Sequence, residues 1–179
     1  MSIDAIMEKI EGCSDSHVVV TGGEPFLPKT IGELTTRIRE VGKHITIETA
    51  GTISRPVVCD LMSISPKLSN STPTIERAGE WAQKHEHARI KLDVLQSLIE
   101  KFDYQLKFVV QDRSDITEIR SLIDQLIGVD KEKVLLMPEG IDQETLASRS
   151  SWIEEKCEEL GFRFCPRMHI QWYGNLRGT

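Results

Sequence analysis

The sequence predicts an α/β domain built on parallel strands. Short apolar runs recur along the chain and alternate with segments whose apolar residues fall every three to four positions. Turn residues close the runs: Gly22-Gly23, Ala50-Gly51, Pro66 and Pro138. The 179 residues suit one domain, with no internal repeat, linker or low-complexity segment to divide them.

Each element has its own signal. Ile3, Ile6, Met7 and Ile10 share one helical face. The strand His17 to Thr21 ends at Gly22-Gly23. Leu27, Ile31, Leu34, Ile38 and Val41 predict a helix, and His44 to Glu48 the next strand. Leu61 to Ile64 reads as a short strand stopped by Pro66. Residues 69–88 are polar and read as irregular, with one helical turn around Trp81. A stripe from Leu92 to Phe102 predicts a helix, and Tyr104 to Val110 a strand. Ile116 to Leu126 follows as a helix, with Ser114 or Asp115 as its N-cap. Val134 to Met137 is a strand ended by Pro138. Asp142 caps a helix that reaches Leu160 and stops at Gly161. Phe162 to Thr179 reads as an aromatic, extended tail. The continuous apolar character of the strands predicts a sheet covered on both faces.

Composition narrows the function classes. A net charge of −6 argues against a nucleic-acid or anionic-membrane partner, because both need clustered Lys and Arg. No apolar run approaches the roughly 20 residues of a membrane span, and no secretory leader opens the chain. The four cysteines, Cys13, Cys59, Cys157 and Cys165, form no C-x-x-C pair. They read as reduced thiols of a cytoplasmic protein.

In parallel α/β sheets, ligands bind at the C-terminal ends of the strands. Those ends hold Thr21-Gly22-Gly23-Glu24, Glu48-Thr49, Ser65-Pro66-Lys67, Gln111-Asp112 and Pro138-Glu139-Gly140. Paired glycines let a backbone approach a ligand closely, and a neighbouring carboxylate suits an amino group. Taken singly, each string has a plainer reading: a turn at Gly22-Gly23, a loop cap at Glu48, a solvated lysine at Lys67. His169 alone reads as a satisfied polar residue, Trp172 and Tyr173 as packing residues. The charges of Asp142 to Glu159 read as a solvated helix face.

As an ordered set the strings say more. Thr21-Gly22-Gly23-Glu24-Pro25 resembles the turn with which radical S-adenosylmethionine enzymes hold that cofactor's amino group. With Glu48-Thr49-Ala50-Gly51-Thr52, Ser65-Pro66-Lys67, Lys107-Phe108-Val109-Val110, Leu136-Met137-Pro138-Glu139-Gly140 and the ending His169 to Thr179, the whole chain resembles the 7-carboxy-7-deazaguanine synthase family. The resemblance implies a partial (βα) barrel of the radical S-adenosylmethionine type, lacking its first strand and cluster loop. It implies a ring contraction of 6-carboxy-5,6,7,8-tetrahydropterin to 7-carboxy-7-deazaguanine, a step toward queuosine or a related 7-deazapurine. S-adenosylmethionine, a [4Fe–4S] cluster and Mg2+ are the implied cofactors. The cofactor is cleaved to a 5′-deoxyadenosyl radical that abstracts hydrogen from the substrate. By the same resemblance, Gly22, Gly23, Glu24, Ser65, Pro66, Lys67 and Gln111 contact the cofactor, while Thr21, Glu48 and Thr179 contact the substrate. A homodimer and an electron donor such as flavodoxin are implied partners.

The cysteines depart from this pattern. Such a cluster takes three thiolates from a C-x3-C-x2-C loop or a longer variant, and none of the four cysteines is so spaced. The sequence therefore reads as a family member short of about 50–60 N-terminal residues: the first strand, the cluster loop, a substrate-binding arginine and the magnesium ligand. Such a chain is expected to be inactive as it stands, and to associate through an open sheet edge. Two alternatives remain: another radical S-adenosylmethionine enzyme such as a glycyl-radical activator, or a non-catalytic cofactor-binding or scaffold remnant.

Overall fold

The computed structural model describes residues 2–174. Six strands form one sheet: β1 (His17–Val20), β2 (His44–Thr49), β3 (Leu61–Ile64), β4 (Tyr104–Val110), β5 (Val134–Pro138) and β6 (Arg163–Phe164). All five pairings are parallel, and the spatial order is β1-β2-β3-β4-β5-β6. Each strand thus lies beside its successor in sequence. A doubly wound sheet reverses direction at a switch point; this one does not, which makes it an arc of a (βα) barrel.

The helices are α1 (Ile3–Glu11), α2 (Ile31–Glu40), α3 (Ile75–Ala78), α4 (Glu80–Ala88), α5 (Leu92–Lys101), α6 (Arg113–Ile123), α7 (Gln143–Leu160) and α8 (Met168–Tyr173). Their apolar stripes cover one face of the sheet. Ile45 and Ile47 of β2, Met62 and Ile64 of β3, Leu106, Phe108 and Val110 of β4, and Val134 and Leu136 of β5 are all fully buried there. Ile38, Leu95, Leu98, Ile119 and Ile153 meet them from the helices.

The opposite face corrects the expectation of a doubly covered sheet. Burial alternates along β2, β4 and β5, so every second residue is only half-buried. Thr46, Glu48, Gln105, Lys107 and Val109 occupy that face. A barrel interior is polar where it holds a site, and these polar positions interrupt the apolar runs without breaking the strands.

Other corrections are local. The helix expected from Leu27 begins at Ile31, because Pro25 and Pro28 cannot continue a hydrogen-bonded turn; Leu27 is 62% exposed. The N-cap of α6 is Asp112, not Ser114 or Asp115; Asp115 instead closes a capping box from the third helical position. Residues 69–88 are more helical than their polarity suggested, holding α3 and α4. Only Ala82 of α4 is buried, so that helix lacks a stripe to read. The tail is helical over Met168–Tyr173, not extended. Its Trp172 and Tyr173 are exposed at 66% and 51%, so they are not packing residues. Asp142 and Gly161 do bound α7, Gly161 in the left-handed conformation with φ 72°.

Candidate functional site

The first turn of the site follows β1. Gly22 has φ 154°, which an L-residue rarely adopts, and the Gly22-Gly23 backbone lies exposed beside a cavity. Glu24 fastens this turn to the next strand end. Its Oε1 accepts from the Phe26 N–H at 3.1 Å and from Thr49 Oγ1 at 2.8 Å, and its Oε2 accepts from the Ala50 N–H at 3.0 Å. The Gly-Gly-Glu and Glu-Thr-Ala-Gly strings are therefore two halves of one hydrogen-bonded unit.

The third string follows β3. The Ser65 N–H donates to Thr49 O at 2.7 Å, which joins this loop to β2. Arg89 secures its far end: Nη1 donates to Lys67 O at 3.0 Å and to Glu118 at 2.6 Å. Beyond β4, Asp115 is 3% exposed and accepts from the Gln111 N–H at 2.6 Å and from Asn70 Nδ2 at 2.9 Å. A buried carboxylate with several donors fixes the chain around it.

Two adjoining cavities open among these loops. One, of about 400 Å3, is lined by Thr21, Gly22, Gly23, Glu48 and Thr49 together with Lys107, Arg167 and His169. The other, of about 360 Å3, is lined by Pro66, Asn70, Ser71, Gln111 and Glu139. Ser65, Lys67 and Val109 form the partition that both share. Both volumes lie within the range of small-molecule pockets, about 300–1,000 Å3.

The structure thus brings together Thr21, Gly22, Gly23, Glu48, Ser65, Pro66, Lys67 and Gln111 at one end of the sheet. Glu24 lines neither cavity; its carboxylate is committed to the turn. Thr179 lies outside the described residues. Sequence reasoning missed Lys107, Arg167 and His169. A readable signal existed for Lys107, since a cation inside the strand Tyr104–Val110 needs a polar destination.

The electrostatics of the first cavity are opposite to those of the chain. Lys67, Lys107 and Arg167 face a single lining carboxylate, Glu48, within a protein of net charge −6. Lys107 Nζ contacts Glu48 Oε1 at 3.1 Å, while Thr21 Oγ1 donates to Glu48 Oε2 at 3.3 Å. Both carboxylate oxygens are thereby oriented. Burial pushes the Lys67 ammonium below the ordinary lysine range, and the charge of Lys107 adds to this. The site suits a ligand that carries both an amino group and a carboxylate.

S-adenosylmethionine, the cofactor that the resemblance implies, carries both groups. The cysteines do not fit a [4Fe–4S] cluster. Cys13 lies before β1 and Cys59 before β3, at the opposite end of the sheet from the cavities. Cys157 is buried in α7. Burial pushes the Cys59 and Cys157 thiols up to about 11, against the thiolate form that ligates iron. Among the described residues no group of three or more His, Cys, Asp or Glu side chains is placed to hold a metal ion.

No family model matches the chain. Individual proteins do. It is 38% identical over 179 residues to the 7-carboxy-7-deazaguanine synthase of Rhodopirellula baltica, covering 99% of this chain and 69% of that protein. It is 41% identical over 189 residues to the 7-carboxy-7-deazaguanine synthase of Halobacterium salinarum, covering 100% of this chain and 74% of that one. Among solved structures, QueE from Escherichia coli superposes with a TM-score of 0.68 at 21% identity, over 93% of this chain and 64% of that chain. The sheet arc described above is thus the fold of a solved QueE, and the chain spans about two thirds of its length.

Proposed function

The chain belongs to the 7-carboxy-7-deazaguanine synthase family, and from that premise we propose that its two cavities bind S-adenosylmethionine and a carboxylated pterin for the ring contraction to 7-carboxy-7-deazaguanine. One observation carries this reading. The strings at the ends of β1, β2, β3 and β4 line two cavities with a common partition of Ser65, Lys67 and Val109.

In this reading the Gly22-Gly23 backbone accepts the amino group of the cofactor's methionine part, and Lys67 meets its carboxylate. Gln111 and the loop after β3 border its nucleoside. When bound, S-adenosylmethionine supplies the radical that starts the family's ring contraction. Thr21, Glu48 and Lys107 face the pterin. Oriented by Lys107 and Thr21, Glu48 accepts N–H groups from the flat heterocycle, and Arg167 adds a cation for the pterin's carboxylate.

The four cysteines supply no cluster site, so the cluster and Mg2+ depend on ligands other than those described above. By the family resemblance, a [4Fe–4S] cluster held by such other ligands would supply the electron, with a donor such as flavodoxin, in a cytoplasmic homodimer. A chimera tests the proposal. The part of the Rhodopirellula baltica relative that the match leaves uncovered is joined to this chain and reconstituted anaerobically with iron and sulfide. It is expected to form 7-carboxy-7-deazaguanine from the carboxy-tetrahydropterin, while the 179 residues alone form none. A reconstituted chimera with a full cluster signal and no product would overturn the proposal.

Lys67 gives a second, pH-resolved check. An anion beside this lysine restores its proton affinity, so binding takes up protons between its depressed pKa and the ordinary lysine range. Affinity for S-adenosylmethionine therefore falls as pH rises through the depressed value. Calorimetry in buffers of different ionisation enthalpy should register this uptake at alkaline pH, and Lys67→Met should abolish it. Binding without proton exchange would remove Lys67 from the carboxylate's contacts.

A further inference from the structure

The polar excursion between the loop after β3 and α5 buries almost nothing of its own. α3 contributes no buried residue, and α4 only Ala82. Yet at the end of α4 the chain comes back to the place it left. Arg89 Nη1 donates to Lys67 O at 3.0 Å, across 22 residues. What the excursion delivers is therefore a guanidinium at its own neck.

That guanidinium is 12% exposed and serves three acceptors. Besides Lys67 O, Nη1 donates to Glu118 Oε1 of α6 at 2.6 Å, and Nη2 donates to Glu86 Oε1 of α4 at 2.5 Å. Both carboxylates pass the hold on to the loop after β3. Glu118 Oε2 accepts from the Ser69 N–H at 3.1 Å and from Ser69 Oγ at 2.6 Å. Glu86 Oε2 accepts from Thr72 Oγ1 at 2.6 Å. The Arg89 guanidinium, with the Thr72 hydroxyl, holds the Glu86 carboxyl down at about 2, so this link stays charged at neutral pH. One planar cation thus grips the loop at Lys67, Ser69 and Thr72.

The grip bears on the site because Lys67 stands in the partition that both cavities share, whereas Arg89 lines neither. An ammonium on a flexible four-carbon stem has no direction of its own. Its place is set by where its backbone is fixed. Burial and Lys107 lower the proton affinity of Lys67, against Glu24 and Glu48, and that burial lasts only while the loop stays down. We infer that Arg89 is the positioning residue of this site: through Lys67 O, Glu118 and Glu86 its fork fixes the loop after β3 so that Lys67 stays between the two cavities. The placement stands on these hydrogen bonds; its consequence for S-adenosylmethionine rests on the cofactor reading above.

The ligand-free chain, carrying lysine labelled with 13C at Cε, is the test material. NMR titrates each ammonium, and Lys67 is identified by its absence from Lys67→Arg. In the unmodified chain Lys67 should titrate below the surface lysines, and in Arg89→Met it should move back toward them. Arg89→Lys keeps the charge without the planar fork, and should move Lys67 in the same direction. A shift confined to Arg89→Met is an effect of charge and overturns the inference. Methylguanidinium added to Arg89→Ala should restore the low titration, which a general loss of stability would not allow. Glu118→Gln, a milder break, should move Lys67 less, and it serves if the Arg89 variants do not fold. A Lys67 that titrates with the surface lysines in the unmodified chain, or that no variant moves, overturns the inference. Affinity for S-adenosylmethionine, read by calorimetry, should fall about tenfold in Arg89→Met. A chain whose Lys67 responds as expected but which binds no S-adenosylmethionine keeps the clamp and defeats the cofactor reading.

Discussion

Gly51→Val is expected to cost several kcal/mol of stability, enough to shift the denaturation midpoint far to lower denaturant. Gly51 lies just past β2 with φ 73°, where a β-branched residue is strained. A Cβ there would also press into Leu95 Cδ2 and stand 2.8 Å from Ile64 Cγ2. The strain costs roughly 1–2 kcal/mol and the overpacking roughly 1–3 kcal/mol more. A domain of this size holds only about 5–15 kcal/mol in total. Gly51→Ala should lose somewhat less. Urea unfolding followed by circular dichroism measures both. A loss below about 1 kcal/mol for valine would mean that the loop and Leu95 yield together, and that the turn after β2 is soft.

Glu24→Ala should damage both folding and ligand binding. The substitution strands the Ala50 and Phe26 N–H groups and the hydroxyl of Thr49, a residue only 4% exposed. Leaving such donors unmet costs about 1–3 kcal/mol apiece, less whatever water recovers. The expected net loss is about 2–4 kcal/mol. Affinity for S-adenosylmethionine should fall at least about tenfold even well below the melting temperature, because the Gly22-Gly23 turn loses its tether to β2. Glu24→Gln keeps the shape but has one acceptor oxygen, so it should fall between the two. Undiminished affinity in Glu24→Ala, measured on folded protein, would show that the glycine turn holds its conformation unaided.

These two residues also show what a reader of the sequence can reach. The strings Thr21 to Pro25 and Glu48 to Thr52 stand out because glycines follow apolar runs. Their joining through Glu24 is invisible, since it depends on β1 and β2 lying side by side in parallel register. Strands β2 and β4 are legible from their β-branched and aromatic content, and β5 from its apolar run closed by Pro138. Their one-sided burial was missed because Val109, Leu135 and Met137 on the open face are as apolar as the core. The cap of α7 at Asp142 is local, and so it was legible. The cap of α6 moved to Asp112 because Asp115 answers it from inside the helix. Helices α4 and α8 bury too few side chains to leave a periodic trace. Arg167 and His169 join the site only through the return of the chain after β6, and no spacing in the sequence encodes that.

The strand order carries a consequence for how the molecule is made. Because each strand pairs with the one just before it, every new strand leaving the ribosome finds its neighbour already synthesised. No early segment must wait with an open partner position for a late one, as a Greek key or a doubly wound sheet demands. The binding face, however, draws on both ends of this timetable. Thr21 is among its first contributions, and Arg167 and His169 are among its last. A chain that has emerged from the ribosome as far as about residue 150 already holds β1 to β5 without these two residues. Ligand recognition thus follows the assembly of β1 to β5, a built-in delay between acquiring the architecture and acquiring the chemistry.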